Sequence, residues 1–174
     1  MKKFAGKLIL ILTLCFCLSA AVFAAQANAA GTVKNATVKK SGKYYIGYKK
    51  SGAKIRNKWG IVKSGTKTYT YYFDKKGRAY TGVRAVGKTP ADTRLYFFSS
   101  KGRLNQTKTS KLQKLSKAGK KYATLKKYIA KIDKKAICKA ESACGMEMCV
   151  YNNGFTVYMD TADTKLVSYI LVNP

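Results

Sequence analysis

Histidine is absent from the 174 residues. That removes the Ser–His and Cys–His pairs on which most nucleophilic hydrolases depend, and it removes the commonest zinc ligand. Acidic residues are scarce, with 7 Asp+Glu against 35 Lys+Arg, and there are only 2 prolines and 1 tryptophan. The acidic pairs close enough in sequence to act together are Glu141 with Glu147 and Asp160 with Asp163, and both flank turns, where carboxylates mostly serve solvation. No glycine-rich phosphate loop is present. The sequence therefore assigns no catalytic residue, no metal and no cofactor, and it reads as a binding protein rather than an enzyme.

Long apolar runs are equally sparse. Leu8 to Leu18 is broken only by Thr13 and is too short to cross a bilayer, which takes about 20 residues. Lys2, Lys3 and Lys7 precede it and small residues from Ser19 to Ala30 follow, the plan of a secretory signal peptide over 1–29, with cleavage after Ala24 or after Ala29. Cys15 and Cys17 follow bulky Leu14 and Phe16, which argues against lipidation. The expectation is a secreted, surface- or wall-associated chain with no membrane span in its mature form.

What the sequence has in excess is positive charge, a net +28. It is unevenly placed. Beyond Lys139 the only base is Lys165, against Glu141, Glu147, Asp160 and Asp163. Such a field attracts polyanions. Inside a cell that would mean nucleic acid, which the signal peptide argues against. Outside, the polyanions are teichoic acids, anionic lipids and acidic polysaccharides. Lysine suits a diffuse field better than bidentate recognition, so a solvated surface is the competing reading.

A period of 25 residues organises the middle. Gly52, Gly77 and Gly102 each end a polar turn, and four residues before them stand Tyr48, Phe73 and Phe98. The preceding pairs are Ile46-Gly47, Tyr71-Tyr72 and Tyr96-Phe97. Aromatic triplets fit a pleated, half-buried surface, and glycine supplies the turn. One hairpin is marginal in water, so residues 31–109 are expected to stack as a β-hairpin solenoid in which most aromatics are core. Those that could instead face a ligand are Trp59, Tyr69, Tyr71, Tyr80 and Tyr96.

The stretch Tyr71-Tyr72-Phe73-Asp74-Lys75-Lys76-Gly77-Arg78-Ala79-Tyr80-Thr81-Gly82 resembles the cell-wall-binding, or choline-binding, repeat of Gram-positive surface proteins and clostridial toxins. Arg94–Leu104 and Gly42–Asn57 resemble it more loosely. The resemblance implies a hairpin solenoid that attaches non-covalently to wall teichoic acid choline or to carbohydrate. Choline-binding members cage the quaternary ammonium with tryptophan and tyrosine. Here the family's Thr-Gly-Trp becomes Thr81-Gly82-Val83, its Trp-Tyr-Tyr-Phe becomes Thr70-Tyr71-Tyr72-Phe73, and only Trp59 remains. Wall or carbohydrate association carries over, with teichoic acid as the expected polymer, and choline does not.

From Ser110 the pattern changes to a helical spacing of Leu112, Leu115, Ala118, Tyr122, Leu125, Ile129 and Ile132, broken near Gly119. Strands follow at Met146–Tyr151, Phe155–Met159 and Leu166–Val172, the first two joined by Asn152-Asn153-Gly154. Residues 110–174 thus read as a small α+β module, one helix on a three-stranded antiparallel sheet. They resemble a module that recurs, often with a cysteine, in secreted and lipid-anchored proteins of clostridia-like Firmicutes, on Leu125–Ile129, Ser142–Gly145, Tyr151–Tyr158 and Val167–Ile170. The resemblance carries no activity. In an oxidising exterior two of Cys138, Cys144 and Cys149 should pair. Cys144 matches the module's recurrent cysteine, which makes Cys138–Cys144 the expected bridge and leaves Cys149 buried. Cys144–Cys149 is the alternative bridge, and a helix packed on the sheet could also bring Cys138 to Cys149. A second functional reading has the repeats as a spacer only, with the C-terminal module binding a protein.

Overall fold

The structure, a computed structural model, describes residues 31–173. The expected signal peptide and its cleavage sites lie outside the described residues. The chain is mostly β, with small antiparallel sheets and two helices. Three hairpins come first: β1 (Thr37–Ser41) with β2 (Tyr44–Tyr48), β3 (Lys58–Ser64) with β4 (Lys67–Phe73), and β5 (Gly82–Val86) with β6 (Arg94–Phe98). Two helices follow, α1 (Gln106–Leu115) and α2 (Tyr122–Ile132). A four-stranded sheet ends the chain, from β7 (Cys138–Ala143), β8 (Met146–Tyr151), β9 (Phe155–Met159) and β10 (Val167–Val172), in the order β10-β9-β8-β7.

The 25-residue period is a hydrogen-bond period. After each hairpin the backbone N–H of Lys49, Asp74 or Ser99 donates to the carbonyl of Ala53, Arg78 or Arg103, at 2.8–2.9 Å. In each of these turns the glycine has positive φ, +82° at Gly52, +81° at Gly77 and +76° at Gly102. The link between units repeats too: Ala79 N–H donates to Tyr45 O at 2.7 Å and, 25 residues on, Leu104 N–H donates to Thr70 O at 2.8 Å. Each turn therefore hands its following residues back to the hairpin before it.

Gly77 sits where these bonds meet. Its carbonyl accepts from Gly47 N–H at 3.1 Å, and a Cβ at Gly77 would stand 3.2 Å from the Ile55 carbonyl oxygen. A β-branched residue resists positive φ and has no room there. Gly77→Val is expected to cost about 2 kcal/mol, read as a lower melting temperature, with loss of amide protection in the first hairpin as well as the second. An unchanged melting temperature would mean that the register is not structural.

Side-chain alternation along the strands decides what each hairpin touches. Tyr71 and Phe73 point toward the first hairpin and form a core with Ala36 and Ile55. Phe73 is fully buried, and its ring fills the space where Cβ atoms of Gly47 and Gly60 would lie, at 2.4 and 2.7 Å. On the third hairpin, Tyr96 and Phe98 face back toward Trp59, with ring centroids 4.9 and 6.1 Å from it. Val83, Ala85 and Leu95 face the other way and join one core with Leu112, Leu125, Ile129, Tyr151, Phe155, Val157 and Val167. Phe97 packs against the same core.

The C-terminal region departs from expectation in three ways. The single helical face is divided between two helices, because Ser116–Lys121 leaves the helix through Gly119 at φ +74° and pairs with the start of β10. The first helix begins earlier, at Gln106, because the Asn105 side-chain oxygen caps Lys108 N–H at 3.0 Å. The sheet has a fourth strand, β7. Five of its six residues are exposed, so no apolar alternation marks it in sequence. It is an edge strand carrying Lys139 and Glu141 paired at 3.5 Å, charges that discourage edge-to-edge association.

Helix α1 also protects an edge. Thr109, fully buried, accepts from Phe97 N–H through its hydroxyl at 3.0 Å, and the Gln113 side chain donates to Leu95 O at 3.2 Å. Backbone groups of β6 that would otherwise be open are thereby satisfied.

Candidate functional site

The five rings expected to face a ligand fall into two groups. Trp59, Tyr80 and Tyr96 belong to one cluster between the second and third hairpins, together with Tyr72 and Phe98. Trp59 meets Tyr72 edge-on at 5.1 Å, Tyr72 meets Tyr80 at 5.1 Å, and Tyr80 meets Phe98 at 6.1 Å. Trp59 is only 9% exposed, and the rings fill one another's faces. Burial pushes the Tyr72 phenol up to about 12 and raises Tyr80 and Tyr96 as well. Trp59 is thus a packing residue at this interface.

Tyr69 and Tyr71 lie on the opposite face of β4. The Arg103 guanidinium sits 3.7 Å from the Tyr69 ring centroid and donates through Nε to the Tyr71 hydroxyl at 3.3 Å. Tyr71 is 4% exposed and stacks on Phe73 at 5.9 Å. The cation that approaches these rings is the protein's own arginine.

Of the five, Tyr80 also lines an open cleft of about 990 Å³ where the hairpins meet the C-terminal module. Tyr44 and Tyr45 from β2 line it, with Arg78, Arg84, Asp133 and Asn153. Arg78 is placed by its own turn, and Arg84 and Asn153 by contacts about 70 residues apart in sequence. Asp74 accepts from Arg78 Nε at 2.8 Å and from the backbone N–H groups of Lys76 and Arg78, both at 2.8 Å, which holds the turn and leaves the guanidinium 4.9 Å from the Tyr44 ring. Arg84 lies 5.6 Å from the Tyr80 ring and donates through Nη1 to the Asn153 carbonyl at 2.6 Å. Burial pulls the Arg84 pKa below the ordinary guanidinium value.

Two hydrogen bonds tie the third hairpin to the C-terminal module at this cleft. Val83 N–H donates to Asp133 Oδ2 at 2.7 Å, Asn153 Nδ2 donates to the Val83 carbonyl at 2.5 Å, and the Asn153 side-chain oxygen is buried with no protein donor. Gly82, at φ +71°, lets Asp133 approach, since a Cβ there would overlap its carboxylate. The cleft thus offers tyrosine rings for stacking and two guanidinium groups for anionic oxygens.

Sequence reasoning missed Tyr44, Tyr45, Arg78, Arg84 and Asn153. Arg84 stands in the register position of Trp59, 25 residues on, which was a visible signal. Asn153 carried none, because its partner strand is about 70 residues away. Among the described residues no cluster of three His, Cys, Asp or Glu could hold a metal, and no helix is long and apolar enough to cross a membrane.

No family model matches the chain. No curated protein matches it either. Solved structures similar to it include truncated alternansucrase from Leuconostoc mesenteroides NRRL B-1355, at 17% identity and a TM-score of 0.31, over 76% of this chain and 7% of that one. Alternansucrase in complex with isomaltononaose is similar at 16% identity and a TM-score of 0.32, over 77% of this chain and 10% of that one. The multimodular pneumococcal cell wall endolysin from phage Cp-1, complexed with choline, is similar at 16% identity and a TM-score of 0.20, over 76% of this chain and 37% of that one. This chain spans less than two fifths of the length of each of these structures.

Proposed function

We propose that this is a secreted, wall-associated protein, not an enzyme, that binds carbohydrate or an anionic wall polymer such as teichoic acid without a covalent bond. The observation that carries the proposal is the cleft, where Tyr44, Tyr45 and Tyr80 are set beside Arg78 and Arg84. Tyrosine faces suit sugar rings, and guanidinium pairs with phosphate or carboxylate. The hairpins act as a short solenoid that carries this cleft and spreads the 20 Lys+Arg of residues 31–109, set against 2 Asp+Glu, along a polymer. Choline is not the ligand, because the rings of the Trp59 cluster are occupied by one another.

The test uses the whole mature chain and purified Gram-positive walls. Sedimentation with walls is expected at low salt and should fall strongly at about 0.5 M salt, where the screening length shrinks to a few ångströms. Walls stripped of teichoic acid should bind several-fold less. Tyr44→Ala, which removes a ring that is 39% exposed and outside the core, should weaken binding without moving the melting temperature. Equal binding at both salt concentrations would overturn the electrostatic reading, and competition by free choline would overturn the exclusion of a cage.

A further inference from the structure

The described cysteines are three separate free thiols: Cys138 half-buried, Cys144 exposed and Cys149 buried. The expected Cys138–Cys144 bridge does not fit the fold. Those residues stand at opposite ends of β7, with Cys144 in the turn at φ +52°, and six extended residues span roughly 20 Å. Cys144 and Cys149 are likewise separated by the length of β8.

Register brings together the remaining pair. Cys138 lies opposite Tyr151 and Ala140 opposite Cys149, so Cys138 and Cys149 are diagonal neighbours on one face of the β7–β8 pair. That face meets α2. The Tyr122 hydroxyl donates to Cys138 Sγ at 3.5 Å and lies 3.3 Å from the Tyr151 hydroxyl. Cys149, 1% exposed, lies in the core on this same face, and Cys138 packs against that core.

We propose that Cys138 and Cys149 form a disulfide under oxidising conditions, fastening the edge strand β7 to β8 beneath helix α2, with Cys144 left as the free thiol. Diagonal Cα atoms are typically about 7–8 Å apart, and a disulfide takes about 4.4–6.8 Å, so closure draws the start of β7 inward by roughly 1 Å. Cys138 is the first residue of an edge strand, the position where such a shift disturbs least of the sheet.

The two thiols are unequal in the way the exchange needs. Burial opposes ionisation of Cys138, but hydrogen bonds from Cys149 and Tyr122 and the nearby Lys126 charge outweigh it and lower its pKa. Burial and the bond to Cys138 push Cys149 up to about 11. With a small disulfide such as oxidised glutathione as oxidant, the Cys138 thiolate attacks one of its sulfurs and releases one glutathione thiolate. Cys149 then loses its proton, attacks the Cys138 sulfur of the mixed disulfide and releases the second. Two S–H bonds are lost and one S–S bond is made. Two electrons and two protons leave the protein, and oxidised glutathione becomes two thiols.

The mature chain is equilibrated with excess oxidised glutathione, its free thiols are alkylated, and it is cut with trypsin and a glutamate-specific protease. Cleavage after Lys139 and Glu147 places the three cysteines on separate peptides. The expected result is one alkylated thiol, on Cys144, and a linked peptide pair carrying Cys138 and Cys149. Reductant should lower the melting temperature by about 5 °C in the wild type and in Cys144→Ser, and should not move it in Cys138→Ser. Three alkylated thiols after oxidation, or a bridge that contains Cys144, would overturn the proposal.

Discussion

Phe73→Ala is expected to lower the unfolding free energy by about 3–5 kcal/mol, the largest effect of any single truncation in the hairpin array. The ring is fully buried and lies between Gly47 and Gly60, two positions with no side chain of their own to close the gap. Glycine backbones locked in strands cannot collapse into the hole, so most of the cavity cost is retained. Tyr71 would lose its stacking partner at 5.9 Å, and Ala36 and Ile55 would lose the centre of their core. Urea unfolding of the mature chain, followed by Trp59 fluorescence, measures it. The converse change checks the geometry: Gly60→Val places a branched side chain into the ring and should destabilise by a similar amount. A loss below about 1 kcal/mol for both would mean that Phe73 is not the centre of that core.

Cutting the chain after residue 109 is expected to unfold the third hairpin, although the repeat pattern is complete by then. In the whole chain Val83 and Leu95 are fully buried, and Phe97 packs beside them, all against α1, α2 and the C-terminal sheet. Removing that partner exposes each of these side chains, at about 1.5–3 kcal/mol apiece, removes the bond that Gln113 makes to Leu95, and cuts the helix that holds Thr109 against Phe97 N–H. The hairpin that remains would keep its Tyr96 and Phe98 contacts with Trp59 and Tyr80. Hydrogen exchange on residues 31–109 alone should find the Leu95–Phe98 amides unprotected, and Trp59 emission should shift to the red as its cover loosens. Amides as protected in the fragment as in the whole chain would show that the third hairpin is held by the array. Wall binding is therefore measured on the mature chain rather than on the isolated repeats.

Elements with local signals were legible in the sequence. Met146–Tyr151 and Phe155–Met159 were placed to the residue, because apolar alternation and an Asn-Gly turn mark them. Gly119 was visible as a break, but the helices on either side of it were expected as one. β7 was not, since its residues are polar and exposed and its place is set only by pairing with β8. The expected Cys138–Cys144 bridge assumes a loop between them, whereas β7 is extended and sets the two residues at its opposite ends. Of the nine array rings expected to be mostly core, Tyr71, Phe73 and Phe98 are buried and the other six are half-buried, because how far each is covered depends on what lies across from its face.

The sequence by itself determined the 25-residue register, the three turn glycines and the excess of positive charge, because each depends on residue identity at fixed spacing along the chain. Only the tertiary structure decided that Trp59 is covered, that Tyr44, Tyr45, Tyr80, Arg78 and Arg84 meet in one cleft, and that Asp133 and Asn153 tie the third hairpin to a separate module there. Those groups are far apart in sequence, and what brings them together is the third hairpin. Strand alternation gives it two faces, Tyr96 and Phe98 on one and Val83, Ala85 and Leu95 on the other. Period-two alternation can be read from a sequence, but the partner each face meets cannot, because that contact is made across the whole fold.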